Sequence, residues 1–393
     1  MTAGTTTLIL GAGFGGIVCA NTLRRLLPAE HRIVLIDKGK TFSFGAAKTW
    51  VATGGKKVAE IQSPLEPLKR RGIELIQAEV LSIDPESRSV ETSVGKFQSD
   101  HLVIALGADT DMGVVPGLAE SAESFYTLAG ATKLAKVLPG FKSGKVLILV
   151  PRIPFKCPPG PYEGAMLLHD YFARQGVRNQ IHITVATVEP RPMATAGPAV
   201  GDFVMAELKA RNIEYLTLKK TVSVDPAAKQ VNFEDGASAG FDLLIAVDPH
   251  IAPKVVVQAG LAKPGAWIPV DPKTLAVSGY DGVWAAGDVT SVPLPGRFKP
   301  DIPLVLPKAG VMADSHGRVI ANHIAARVLG KSTDAAFDGK GFCFLETGDM
   351  HAVKGDGDFF HMPNPTMQTR VPDMSQFEEK KNWMSNWIKE NLA

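Results

Sequence analysis

Cysteine is scarce in this chain. Only Cys19, Cys157 and Cys343 occur in 393 residues, too few and too scattered for a disulfide scaffold. There is no CxxC and no cysteine–histidine cluster, so no metal site is expected. An excess of one charge is missing too: 42 Lys and Arg against 40 Asp and Glu leave a net charge of +2, which points away from nucleic acid and acidic partners. No apolar run reaches the roughly 18–20 residues of a membrane span. The opening MTAGTTTLIL has no basic region before its apolar stretch, so it reads as a first strand and not as a signal peptide. What remains is the composition of a globular chain long enough for two or three domains.

Glycine is plentiful, and one cluster carries chemistry. TTLILGAGFGGIVCANTL sets a strand, then Gly11-Ala12-Gly13-Phe14-Gly15-Gly16, then a helix; a second strand, HRIVLID, ends in Asp37, 21 residues after Gly16. This is the dinucleotide fingerprint in its required context. Gly11 makes the tight turn, Gly13 lets the backbone approach a pyrophosphate, and Gly16 packs helix on strand. The helix N-terminus receives the anion, and Asp37 accepts from a ribose. Phe14, Lys38 and Val80 complete the expected contacts at this end. Two distant segments select the nucleotide. GVWAAGDVTSVPLP, with Gly287 and Asp288, resembles the second flavin-binding motif of flavoproteins with two dinucleotide domains, and HLVIALGA, with Ala105 and Gly107, resembles their ATG-type turn. The cofactor is therefore expected to be FAD. Cys19, inside the first helix, reads as a small core residue.

An internal repeat shows how the rest is organised. RRGIELIQAEVLSIDPESRSV (70–90) and KARNIEYLTLKKTVSVDPAAKQV (209–231) share Ile-Glu, Ser-(Ile/Val)-Asp-Pro and a closing Val at an offset of 140–141 residues. The fold class is α/β, with two Rossmann-like dinucleotide-binding domains in a disulfide-reductase-like flavoprotein arrangement and a C-terminal extension. The expected division is 1–120 with 270–330 for the flavin domain, 121–269 for the second domain and 331–393 for the extension. The repeat places LILVPRIPFK opposite TLILGAGFGG, so Pro151, Ile153 and Lys156 stand where Gly11, Gly13 and Gly16 would be. Prolines lack the N–H groups that cradle phosphate, and no second nucleotide is expected there. Glu189 falls at the counterpart of Asp37.

Cys157 lies in that altered loop, and Cys343 in GKGFCFLETGD. VPRIPFKCPPGPYEGAMLLHDYF (150–172) resembles the cysteine loop of sulfide:quinone oxidoreductases and of the flavin subunit of flavocytochrome c sulfide dehydrogenases. KTWVATG (48–54), LPKAGVMADSHGRVIANHIA (306–325) and GFCFLETG (341–348) resemble further blocks of that family, in the same order. The resemblance covers most of residues 5–350. It implies that Cys157 and Cys343 lie beside the flavin and form a disulfide or polysulfide bridge that sulfide attacks, giving sulfane sulfur, with a quinone or a cytochrome as acceptor. The chain departs from the family twice. Residues 108–140 hold no third redox cysteine, and TFSFGAA has Ser43 where some members attach flavin through cysteine. A two-cysteine mechanism and non-covalent FAD are expected.

Three other side chains are assigned roles. Lys308, at a helix start, is expected to support negative charge on a reduced flavin. Glu163 opens the helix after the cysteine loop and is a candidate proton carrier; His169, six residues on, is a weaker one. Phe377, Trp383, Met384, Trp387 and Ile388 recur at helical spacing near the C-terminus. Residues 375–393 are read either as a helix packed on this protein or a partner copy in a homo-oligomer, or as monotopic membrane contact. The sequence fixes no compartment; a quinone acceptor implies the periphery of a bacterial inner membrane. Rival readings are an NADH:quinone dehydrogenase of the same fold and a non-catalytic flavin-binding protein.

Overall fold

The computed structural model describes residues 4–393; Met1 to Ala3, with which the expected flavin domain begins, lie outside the described residues. Its first sheet is five parallel strands in the order Val283–Ala285, His101–Ile104, Thr6–Leu10, Arg32–Asp37, Glu74–Gln77. Runs such as LIL, IVLI and LVI are buried on both faces, as parallel strands covered by helices require. The second sheet runs Ala122–Glu123, Leu243–Ala246, Gly144–Val150, Ile181–Thr187, Ile213–Leu216, also parallel. Its last four strands follow the order of their repeat counterparts in the first sheet.

The repeat extends to local irregularities. Each half carries a three-stranded antiparallel meander, Val80–Asp84 to Gly95–Gln98 and Thr221–Asp225 to Ser238–Gly240. Both bulge in the first strand, between Val80 and Ser82 and between Thr221 and Ser223. Both turn through a left-handed residue, Arg88 at φ 55° and Lys229 at φ 50°. A bulge kept at the same place in two halves is a built feature and not a defect.

The long helix Gly310–Val328 lies on helix Phe14–Leu26. Their contact needs glycine: a Cβ on Gly317 would sit 2.4 Å from the Gly15 carbonyl oxygen. The start of the long helix is thereby held beside the first glycine loop. After it come an antiparallel sheet, Lys340–Gly348, His351–Asp358 and Thr366–Thr369, and the C-terminal helix Met374–Leu392.

That last helix packs on this protein, one of the two readings of residues 375–393. Its tryptophans face the protein. Trp387 packs against Phe14 and Phe42 with ring centroids 4.6 Å apart in each case, and its Nε1 donates to Asp314 at 2.8 Å. Trp383 packs on Phe44 at 4.8 Å. Gln376, Lys380, Met384, Trp387 and Asn391 make the buried stripe, while Glu378, Asn382, Ser385 and Lys389 face solvent. The aromatic spacing is the seam by which the helix packs on Phe14, Phe42 and Phe44. No helix of the described residues is long and apolar enough to cross a membrane.

Candidate active site

A single cleft of about 820 Å³ runs between the domains. One end is lined by Asp37, Lys38 and Val80. The middle is formed by Gly11 to Gly15, Ala105 to Gly107, Gly287 and Asp288, and the far end by Cys157, Glu163, Lys308, Cys343, Lys380 and Trp383.

The middle fits a flavin dinucleotide. Helix Phe14–Leu26 has Gly13 as its N-cap with no side-chain cap, so its first-turn amides are left for a ligand. A Cβ on Gly13 would meet nothing within 4 Å, because the position faces the open cleft. Gly16 instead faces the loop, where a Cβ would lie 1.9 Å from the Gly11 carbonyl oxygen. Asp37 binds the loop itself: its carboxylate accepts from Ala12 N at 2.6 Å and Gly39 N at 2.7 Å. Asp288 lies deep in the cleft, and its carboxyl is raised above the usual range by burial, against the pull of Lys308. Its turn is held from behind by His316, a fully buried imidazole whose Nδ1 accepts from Gly287 N at 3.1 Å. Burial keeps this histidine neutral, with a pKa of about 3.

Lys308 is buried, and its ammonium donates to the backbone carbonyls of Asp288 and of Thr290, the latter at 3.2 Å, while lying 3.4 Å from the centre of the Trp267 ring. Burial lowers its pKa to about 8, opposed by Asp288. A buried cation is thus present in the cleft wall, held by carbonyl oxygens and an indole face.

At the far end, Cys157 is pinned in a conformation rare for a non-glycine residue, φ 57°. Its N–H donates to Lys308 O at 2.8 Å, and its carbonyl accepts from Gly160 N at 2.8 Å and from the Tyr126 hydroxyl at 3.3 Å. The prolines that replace a glycine loop start helix Gly160–Arg174, which has Pro159 at its cap and Pro161 in its first turn. Cys343 comes from strand Lys340–Gly348 on the opposite wall. Both are half-buried free thiols. Burial raises each to about 12, followed by the Glu163 charge for Cys157 and by the Cys157 charge for Cys343. Such thiols resist ionisation at neutral pH. An attack across this pair therefore needs an anion that arrives already charged.

Behind the sulfurs lies a buried carboxylate–ammonium–carboxylate triad. Lys380 Nζ lies 3.1 and 3.0 Å from the Glu163 oxygens and also donates to Glu346. Glu163 accepts from Thr49 Oγ1 at 3.2 Å and Glu346 N at 3.1 Å; Glu346 accepts from Trp50 Nε1 at 2.6 Å. Burial opposes the charge on Lys380, but Glu163 and Glu346 outweigh it and hold the proton on. Glu163 is raised by burial, partly offset by Lys380. Two carboxylates with one ammonium can keep one extra proton without an unpaired charge.

The structure thus brings Gly11, Gly13, Phe14, Asp37, Lys38, Val80, Ala105, Gly107, Gly287, Asp288, Lys308, Cys157, Glu163 and Cys343 to one cleft. It does not bring His169 there. That ring sits outside the cleft with Nδ1 3.4 Å from its neighbour Asp170, so it lacks the reach a proton carrier requires. Sequence reasoning missed Lys380 and Glu346. A signal existed for the first: a lysine sharing the helical stripe of Gln376, Met384 and Trp387.

The second domain's nucleotide position is filled. Tyr162, with no exposed surface, donates its hydroxyl to Glu189, the counterpart of Asp37. Glu189 also accepts from Thr187 Oγ1 at 3.3 Å, and burial raises its pKa to about 7.

Two flavin-type dinucleotide folds sharing one cleft define a flavoprotein of the pyridine nucleotide-disulphide oxidoreductase class. The family model of that description matches residues 5–149, and the model for the central part of the flavocytochrome c sulfide dehydrogenase flavoprotein chain matches 132–247. Mouse mitochondrial sulfide:quinone oxidoreductase is 26% identical over 91% of this chain and 79% of its own length. The sulfide-quinone reductase of Aquifex aeolicus is 29% identical, covering 81% and 75%. The X-ray structure of the Aquifex sulfide:quinone oxidoreductase superposes with a TM-score of 0.87 at 26% identity, over 97% of this chain and 90% of that one. Within the class, this chain is similar to the sulfide:quinone oxidoreductases along most of its length.

Proposed function

We propose that this protein oxidises hydrosulfide at a Cys157–Cys343 pair and passes the electrons through non-covalently bound FAD to a quinone. In this reading residues 1–120 and 270–330 hold the flavin, 121–269 present Cys157, and 331–393 supply Cys343 and Lys380. The observation that carries it is that two cysteines 186 residues apart line one cleft with the flavin-type glycine loop.

The bridge forms between the two sulfurs in the oxidised protein. Hydrosulfide attacks one of them; the cysteine–cysteine S–S bond breaks, a new S–S bond forms, and the products are a persulfide and a thiolate. One negative charge enters and one remains. When bound, the flavin supplies a two-electron acceptor for that thiolate–persulfide pair and a donor to the quinone. Glu163, raised by burial, holds a proton beside the sulfurs, and Lys380 orients its carboxyl group. Lys308 and the start of helix Gly310–Val328 provide positive potential along the cleft wall. Non-covalent binding is supported by Ser43, which lines the cleft, and by Cys19, which is locked in the core. A quinone is favoured over a cytochrome because Phe342, Phe344 and Trp383 wall the cleft beside Cys343, an apolar slot suited to a flat ring.

The test is sulfide-dependent reduction of a short-chain ubiquinone analogue by purified holoprotein. Wild type is expected to turn over, and Cys157→Ser and Cys343→Ser to lose the activity. Glu163→Gln should slow it on the order of a hundredfold. Full sulfide turnover in both serine variants would overturn the assignment.

A further inference from the structure

Six lysines line the cleft, and two of those at its sulfur end form no ion pair among the described residues. Lys380 has Glu163 and Glu346. Lys308 has two carbonyls and the Trp267 face. Lys48 makes one hydrogen bond, to the Tyr126 carbonyl at 2.9 Å. Lys156, next to Cys157 in the chain, makes no side-chain hydrogen bond, and neither it nor Lys48 makes an ion pair among the described residues. Charges taken from water are normally paired, yet these two stand close enough to oppose each other: burial first, then Lys156, lowers Lys48 to about 8.

Asp248 and Asp288 act on both lysines, but neither forms an ion pair with them: Asp248 accepts from the Ser124 hydroxyl, and burial raises both carboxyls above the usual range. His250, nine-tenths buried behind Tyr126, has neither ring nitrogen hydrogen-bonded and is kept neutral by burial and then by Lys156. Lys380 acts on both cysteines, and Lys48 adds to it at Cys157.

We infer that Lys48 and Lys156 form a small-anion subsite on the Cys157 side of the cleft, built to draw hydrosulfide to the sulfur bridge. Two ammonium groups without an ion pair in a partly dry cleft focus a small anion where the attack begins, without making or breaking a bond themselves. Lys48 reaches the spot because the turn at Gly45 to Ala47 starts helix Lys48–Ala52 beneath Tyr126, and Lys156 because the proline loop presents it one residue before the cysteine. The inference names the donor subsite of the function proposed above and rests on it for the identity of the anion.

The test uses two probes on the holoprotein. In the first, the dithiol form is alkylated at neutral pH with iodoacetate or iodoacetamide, reagents of similar size that differ in charge, and labelling of the Cys157 peptide is timed by mass spectrometry. The iodoacetate-to-iodoacetamide rate ratio is expected to fall on the order of tenfold in Lys48→Met or Lys156→Met and to survive in the arginine variants. A misfolded variant would raise both rates and is recognised by that. In the second, anaerobic bleaching of the flavin is followed against sulfide concentration. The half-saturating concentration should rise about as much, with the limiting rate within about twofold of wild type. If the methionine variants keep both the ratio and the half-saturating concentration, or if they weaken only flavin binding, the subsite is refuted. If alkylation selectivity depends on the lysines but sulfide never bleaches the wild type, the anion subsite stands and the sulfide function falls.

Discussion

Lys380 ties together three elements: the cysteine-loop helix through Glu163, the Cys343 strand through Glu346, and the C-terminal helix that carries it. Removing the ammonium leaves two buried carboxylates facing each other. Lys380→Met should lower the unfolding free energy by about 3–5 kcal/mol, measured by urea titration, and adding Glu346→Gln should recover part of the loss. Glu189 carries the opposite lesson about buried charge. Its carboxyl is raised from 4.5 to about 7 by burial, so the protonated form suits the fold. Its contribution is full below about pH 4.5 and is lost as pH rises through about 7. Wild type should therefore lose stability relative to Glu189→Gln by about 3 kcal/mol between those limits; equal pH profiles for the two would contradict this. At this scale the sequence is unevenly legible. Cys157, Cys343 and Glu163 stand in motifs that mark them. Lys380 does not, because its role depends on contacts 217 and 34 residues away, and a lysine in a run of Glu and Lys reads as solvated surface.

Among the elements, the turn at Gly287 and Asp288 and the C-terminal helix position the cofactor and the sulfurs. His316 presents an acceptor to Gly287 N from a fully buried ring that also stands edge-on to Phe337 at 4.6 Å. Replacing it with leucine strands that amide. His316→Leu should release flavin at dilution where wild type retains it, and His316→Asn, which keeps an acceptor near the Nδ1 position, should restore retention; unchanged flavin affinity in the leucine variant would show the turn holds itself. Trp387→Ala should cost about 3–5 kcal/mol in thermal or urea unfolding, because it empties the cluster of Phe14, Phe42 and Phe44. The glycine loop, both meanders and their repeat are legible because local turn chemistry and strand alternation determine them. The C-terminal helix is legible as a helix, while its surroundings stay open in the sequence. Amphipathic spacing says that an apolar face must be covered, not by what.

Across the whole molecule, one architectural unit is used twice with opposite outcomes. In the first copy, glycines leave free amides beside an open cleft. In the second, Pro151, Ile153 and Lys156 replace them and Tyr162 occupies the would-be ribose carboxylate, Glu189. The doubled fold thus offers one nucleotide site and a thiol in place of the other, with electrons arriving from sulfur. The most direct measurement is anaerobic. Sulfide and NADH are added separately to the flavin-loaded protein while its absorbance near 450 nm, about where oxidised flavins absorb, is followed. Sulfide should bleach the flavin within the time of catalysis, and NADH should leave it oxidised. Bleaching by NADH with none by sulfide would contradict the account.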